Sequence, residues 1–252
     1  MKEWTKIIWR AIGVVIVVGM MVSAVMWGYY MRPTERPCES VRFIIEDRNE
    51  RLYVTDSELE QVLRKAEIHP VGRTVDHGVL HRIEQTIRRH PMVRTAECYT
   101  TPRAEVRVAI TQRVPLPKVS KADELFYIDT DRKVMPARES IKDKVLVAKG
   151  AVGVQIATRQ LADFALWLQD KPYWTKRINH LYVQSPQMIY VYPDNSTAEE
   201  IHATRLVLGT MMGYERKLKK MRTFIDNCAE PIKDKQYIEY DLRYKGQVIG
   251  RY

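Results

Sequence analysis

Glycine is scarce in this sequence, cysteine is rarer, and long apolar runs are confined to one place. The 252 residues include only 11 glycines and 3 cysteines. So few glycines leave little material for loops that cradle phosphates with backbone N–H groups. Cys38, Cys98 and Cys228 are an odd, widely spaced set. They exclude a disulfide framework, and no C-x-x-C pair exists for zinc or redox work. No G-x-S-x-G occurs, and no serine or cysteine sits in a motif that links it to a base. Carboxylates are plentiful, but no pair stands out as an acid–base dyad. The residues therefore nominate no catalytic group, no cofactor and no metal.

Two patterns that imitate metal sites belong to this negative list. His77 and His81, with Glu84 next, share a helical face, but no third histidine lies near in sequence and a solvated surface is expected. Asp129-Thr-Asp131 begins as a calcium loop would. Val134 stands where that loop requires glycine and Ser140 where it requires glutamate, so a hairpin turn is expected.

What is present is a basic, normally apolar chain. Lys and Arg number 41 against 31 Asp and Glu, a formal net charge of +10. Hydrophobic residues make up 45%, the share of a globular protein and too much for a disordered tail. The charge by itself invites a nucleic-acid reading. The N-terminus changes that reading. Ala11 to Met31 contains no charged side chain, which matches the ~20 residues an α-helix needs to cross the hydrocarbon core. Trp9 lies at one end and Trp27, Tyr29 and Tyr30 at the other, where amphipathic rings favour the membrane interfaces. A cleaved signal peptide is the competing reading. The apolar run continues well past Ala24, beyond the ~7–15 residues of a signal core, and favours an anchor. Lys2, Lys6 and Arg10 on one side balance Arg32, Arg36 and Arg42 on the other, so charge does not orient the span.

After a linker at residues 32–40, the pattern becomes regular. Val41 to Ile45 reads as a strand. Thr55-Asp-Ser-Glu58 reads as a capping box, in which the Thr55 hydroxyl accepts the Glu58 N–H and the Glu58 carboxylate reaches back. The helix that follows puts Leu59, Val62, Leu63 and Ala66 on one face. Asp76 caps a second helix bearing Leu80, Ile83 and Ile87, which ends at His90-Pro91. Val93 to Tyr99 and the alternating Ala104 to Thr111 complete a β-α-α-β-β module. Pro115 and Pro117 then suit a hinge or boundary.

The remaining stretch is richer in strands. Hairpins are expected at Leu125 to Met135 and at Ile178 to Tyr192, a strand at Val145 to Ala148, and another at Ile201 to Gly209. Helices are expected at Ala157 to Gln169 and Tyr214 to Cys228. The second carries Arg216, Lys217, Lys219, Lys220 and Arg222, read as its wet face with Glu215 paired to Lys219. Tyr237 to Tyr244 alternates, with Ile238, Tyr240, Leu242 and Tyr244 on one face and Tyr237, Glu239, Asp241 and Arg243 on the other. This is a candidate edge strand.

Several stretches together resemble the FtsQ/DivIB family of bacterial cell-division proteins, over nearly the whole chain. They are Arg82 to Glu97 with its His90-Pro91-Met92-Val93 core, Thr111 to Pro115, Phe126 to Pro136, Tyr173-Trp174, Ile178 to Val183, and Tyr240 to Val248. Met92 replaces the family's usual aromatic, and Pro193 to Glu200 replaces a glycine-containing turn. The resemblance implies an α+β protein. A cytoplasmic tail (1–10) leads to a single transmembrane helix (11–31) and a linker. A POTRA-like β-α-α-β-β domain (41–114) then precedes a β-rich domain (115–252) with a mostly antiparallel sheet and two helices. It implies a single-pass type II protein of the inner membrane with both domains in the periplasm, away from nucleic acid.

By the same resemblance the protein is a non-enzymatic division scaffold. It binds small bitopic coiled-coil proteins of the FtsB and FtsL type, and other divisome proteins, by strand pairing at Tyr237 to Val248. The residues implied are Tyr237, Glu239, Tyr240, Asp241, Arg243, Tyr244, Gly246 and Val248, with Tyr244 as an aromatic anchor. Two other readings stay open. One is a POTRA-containing outer-membrane assembly or secretion factor, for which residues 115–252 are too few to supply the barrel strands. The other is a membrane-anchored periplasmic enzyme without a recognisable motif.

Overall fold

The structure, a computed structural model, describes residues 13, 15–27, 36–121, 124–194, 201, 203–232 and 237–252. Residues 15–27 are helical and exposed throughout, with Val25 at 72% and Trp27 at 69%. The rest of the expected 11–31 span, apart from residue 13, lies outside the described residues, as do the tail 1–10 and residues 195–200. Among the described residues no helix is long and apolar enough to cross a membrane.

The first module follows the expected order of elements. It comprises β1 (Ser40–Ile45), α1 (Asp56–Lys65), α2 (His77–Arg88), β2 (Val93–Thr100) and β3 (Glu105–Gln112). Its sheet runs β1-β3-β2, with β1 parallel and β2 antiparallel to the central β3. Leu59 and Leu63 of α1 and Ile83 and Ile87 of α2 bury fully in one core with Val106, Val108 and Ile110 of β3. That core is the helical stripe laid on the strand alternation. Met92 joins it at 0% exposure.

Both helix caps form. The Thr55 hydroxyl accepts the Glu58 N–H at 3.3 Å, and the Asp76 carboxylate accepts the Val79 N–H at 2.7 Å. The expected return bond from the Glu58 carboxylate to Thr55 is not made. That carboxylate accepts from Arg138 at 2.7 and 3.0 Å and lies 3.1 Å from His90. A charge-assisted guanidinium bond is the stronger competitor.

The second region is built on a sheet of β4 (Pro115–Lys121), β5 (Glu124–Asp129), β6 (Val134–Pro136), β7 (Leu146–Gly150), β8 (Ile178–Ser185), β9 (Met188–Pro193), β10 (Ala203–Gly209), β11 (Tyr237–Asp241) and β12 (Ile249–Arg251). The nine strands run in the order β12-β11-β10-β9-β8-β7-β4-β5-β6. Most neighbours are antiparallel, as expected; β4–β7, β7–β8 and β10–β11 are parallel. Between β7 and β8 the chain is helical through α3 (Val154–Ile156), a wider π segment (Ala157–Leu161), α4 (Ala162–Gln169) and the short α5 (Pro172–Thr175). A long helix, α6 (Tyr214–Ile232), joins β10 to β11. Leu161, Phe164 and Leu168 meet Leu218, Met221 and Ile225 in one core with the central strands.

The proline-rich stretch after β3 is not a hinge. Pro115 opens β4, and Pro117 lies at the register shift on its β5 side while standing opposite Leu146 of β7. The two regions are joined by packing. Tyr127, Met135 and Ile141 belong to the same core cluster as the first module's helices. Polar bonds cross the junction as well: Arg138 to Glu58, Tyr53 to Asp143, and Arg94 to Asp131 through two 2.9 Å bonds. Gln112 is buried beneath them, accepting from the Tyr53 N–H at 2.7 Å and donating to the Arg51 carbonyl at 2.8 Å.

Candidate functional site

The candidate site is the β10–β11–β12 end of the large sheet. β11 lies parallel to β10 with Arg205 opposite Glu239 and Val207 opposite Asp241. On its other side β12 runs antiparallel, with Arg251 opposite Glu239 and Ile249 opposite Asp241. The expectation of one edge strand from Tyr237 to Val248 is therefore corrected. The strand ends at Asp241, the chain turns through residues 242–248, and β12 returns along it. Gly246, at φ +73°, is in the left-handed region that glycine adopts without penalty, and makes that reversal possible. β11 is flanked on both sides, and β12 is the outermost strand.

The expected alternation of faces also fails in β11. Glu239, Tyr240 and Asp241 are all buried, and Ile238 is 54% exposed. The cause is a ladder of charge across three strands. Glu239 accepts from Arg205 at 2.9 Å and from Arg251 at 3.0 Å. Asp241 accepts from Arg251 at 3.3 Å and from Arg243 at 2.6 and 2.9 Å, and also from the Arg243 backbone N–H at 3.1 Å. Burial pushes the Asp241 carboxyl up, but the Arg243 bonds and the charges of Arg243 and Arg251 outweigh it and hold it below the usual aspartate value. Carboxylates that the alternation assigned to a wet face are thus buried by their guanidinium partners.

Aromatic packing completes the edge. The Tyr237 ring lies 5.0 Å from Tyr240 and 4.7 Å from Tyr252, whose hydroxyl is 3.3 Å from that of Tyr237. Gly250 permits this, because a Cβ there would meet the Tyr237 ring at 2.5 Å. Tyr240 is 1% exposed, stacks edge-on with Phe224 of α6, and burial raises its phenol pKa. Tyr244 stands 46% exposed, Val248 is half-buried against the core, and Arg243 lays its stem across Gly209. Of the eight residues singled out in the sequence, then, Tyr244, Gly246 and Val248 sit in the connection, while Glu239, Tyr240 and Asp241 face inward.

Several residues of this edge escaped sequence reasoning. Ile249–Arg251 are the outer strand, Tyr252 is 72% exposed beside it, and Arg205 anchors the ladder from β10. The turn glycine at 246 followed by Ile249 was the available signal for β12. Lys220, read from the sequence as part of a wet face, is placed differently by the structure. Its ammonium donates to the carbonyls of Leu242 (3.1 Å), Tyr244 (2.5 Å) and Gln247 (2.5 Å), latching the connection onto α6. Lys217 likewise donates to the Leu208 and Thr210 carbonyls. The basic run on α6 is not a uniform wet face, because Lys217 and Lys220 turn inward to backbone acceptors. Among the described residues Glu215 and Lys219 do not form the expected ion pair.

The imitations of metal sites stay apart. His81 is solvent-facing, 3.8 Å from Glu84, whose carboxylate accepts the Cys98 N–H at 2.8 Å. Among the described residues no group of three or more His, Cys, Asp or Glu is placed to hold a metal ion. All three cysteines are free, and burial pushes the Cys98 thiol up to about 12.

A β-α-α-β-β module packed against a long mixed sheet, whose last strand has one strand neighbour among the described residues, defines an α+β protein of two regions. Residues 36–111 match the POTRA-like domain, and residues 114–251 match the domain described as FtsQ/DivIB, C-terminal related. The chain belongs to the FtsQ/DivIB family, whose domains are division-associated and generally non-enzymatic. No curated protein shows a significant match to the chain.

Proposed function

We propose that this protein is a non-enzymatic scaffold of the bacterial division machinery. Residues 11–31 anchor it in the inner membrane as a single-pass type II protein, with residues 1–10 cytoplasmic and the folded regions periplasmic. The exposed apolar helix at residues 15–27 supports the anchor, because its valines and Trp27 have no protein cover among the described residues. The scaffold captures small bitopic coiled-coil proteins of the FtsB and FtsL type by adding a strand to its sheet, and assembles with other divisome proteins.

The observation that carries this reading is the outer edge of β12. Among the described residues it has a strand neighbour on one side only, leaving backbone N–H and C=O groups for a partner strand. Tyr244, Tyr252 and Ile238 are exposed beside it as anchors. Tyr237, Glu239, Tyr240, Asp241 and Arg243 hold the edge in place, and Gly246 and Val248 shape the connection to it.

The test is co-purification of an FtsB-type partner from membranes with the full chain and with a chain lacking residues 249–252. Loss of capture, with the first module's fold retained by circular dichroism, is the expected result. Undiminished capture by the shortened chain overturns the edge reading.

A further inference from the structure

A second surface lies away from the β12 edge. α4, α5 and α6 enclose a groove of about 550 Å³. Trp167, Pro172 and Trp174 form its apolar walls, and Lys171, Lys219 and Arg222 stand among them. The volume falls in the ~300–1,000 Å³ range of ligand pockets. It has the size for one or two large side chains.

The groove is built as well as lined. Trp174 is 5% exposed and packs edge-on against Tyr173, with ring centroids 4.9 Å apart. The Tyr173 ring is faced by two guanidiniums, Arg222 at 3.6 Å and Arg177 at 3.8 Å. Cation–π contact of this kind fixes a flat aromatic plate in one orientation. Trp167 is held by Phe164 at 5.9 Å and Tyr214 at 5.4 Å. Glu215, Lys219 and Arg222 recur at the helical spacing that places them along one face of α6.

The charge balance selects the occupant. Arg222 shares its charge with Asp226 at 2.8 Å, and Glu215 adds one carboxylate near the start of α6. Lys171 and Lys219 are exposed, and neither has an ion-pair partner among the described residues. An apolar slot flanked by two unpaired ammonium groups fits an extended chain with carboxylates on either side of an apolar side chain. A phosphate group fits less well, because it leaves the apolar walls of Trp167, Pro172 and Trp174 unfilled.

We propose that this aromatic, lysine-flanked groove binds an acidic linear peptide segment of a partner protein, with one large apolar side chain seated against Trp167 and Trp174. The site is independent of β12 and gives the scaffold a second handle, on a different kind of partner feature: side-chain charge and an aromatic slot, with no strand pairing.

The test uses the full chain in detergent and a fluorescein-labelled hexapeptide with four carboxylate residues flanking a Leu-Phe pair, read by fluorescence anisotropy. Its counterpart carries lysines in place of the carboxylates. The acidic peptide is expected to bind, to weaken as salt rises, and to lose at least tenfold in affinity in the double variant Lys171→Glu with Lys219→Glu. Both side chains are exposed, so that variant keeps its fold, checked by its melting curve. The chain lacking residues 249–252 is expected to bind the peptide unchanged, which separates this groove from the β12 edge.

Equal binding of the lysine peptide, or affinity unmoved by the double variant, overturns the proposal. Loss of peptide binding on removal of residues 249–252 also overturns it. Capture of phosphatidylglycerol vesicles through Lys171 and Lys219, with no peptide bound, overturns it in favour of a lipid surface.

Discussion

The two ends of the nine-stranded sheet are treated differently. At the β6 end, Met135 and Tyr127 sink into the core of the POTRA-like module, and Arg138 reaches the Glu58 carboxylate and the Tyr53 carbonyl. At the β12 end no module is packed among the described residues, and an ion ladder with three tyrosines holds the last strand. An open sheet has two edges, and each is a template for unwanted pairing. The POTRA-like module packs at the β6 end, and the β12 end is free of such packing among the described residues. The charges differ accordingly: the junction holds a bonded imidazole–carboxylate–guanidinium group, whereas the open end holds carboxylates between guanidiniums that are still partly wet.

Removing the ladder's central carboxylate is the strongest way to break this contrast. Asp241→Ala leaves Arg243 without its buried partner and takes from Arg251 one of its two, the other being Glu239. Losing one member of such a group costs about 3–5 kcal/mol when fully buried. Here the arginine side chains are 36% and 50% exposed, so screening brings the expected loss to about 2–3 kcal/mol. Hydrogen exchange reads it: amides of β11 and β12 are expected to exchange faster while those of β1–β3 keep their protection. Faster exchange throughout both regions overturns the separation of the two ends.

A smaller effect is expected at the junction. Arg138→Ala removes two charge-assisted bonds to Glu58, worth about 1–2 kcal/mol for groups near 30% exposed. The distance distribution between spin labels on the two regions is expected to broaden, with capture of a partner at β12 kept. Equal loss of capture from this variant shows that the closed end governs the open one.

The smallest effect is a pH dependence confined to the junction. The His90 imidazole is buried; its Nε2 lies 3.1 Å from Glu58, and its Nδ1 accepts the Met92 N–H at 3.3 Å. These bonds suit the neutral ring. Burial, reinforced by the Arg138 charge, outweighs Glu58 and holds its pKa below the ordinary value near 6.5. The unfolded chain therefore takes up this proton first as pH falls, and stability drops as pH falls through and below that ordinary value. Glu58 has a lowered pKa, set mainly by the Arg138 bond against burial, so its own contribution is lost only at more acidic pH. The melting temperature is expected to fall between pH 7 and pH 5.5, and the slope to flatten in His90→Asn. An unchanged slope assigns the dependence to other groups.

Local signals in the sequence were faithful wherever one element decided its own form. The caps at Thr55 and Asp76, the α1 and α2 stripes and the β3 alternation all appear where the spacing puts them. They fail where a distant charge intervenes. Glu58 forsakes its capping bond for Arg138, 80 residues away. Glu239 and Asp241 break the β11 alternation because Arg205 and Arg251 arrive from other strands. Lys220 turns inward because residues 242–248 bring three carbonyls to it. A hydropathy pattern assigns each charged residue to water; it has no means of naming a partner that folding will supply.

The sequence by itself determined the order of elements in the first module, the family and the apolar stretch at the N-terminus. Periodicity, caps and turn residues are short-range, and the chain carries them before it folds. Only the tertiary structure decided which strand is outermost, that the proline-rich crossing opens a strand of the large sheet, and that aromatic and basic residues from α4, α5 and α6 share one groove. Those outcomes depend on long-range pairing and on desolvation of charges, which take their values only when remote segments have been brought together.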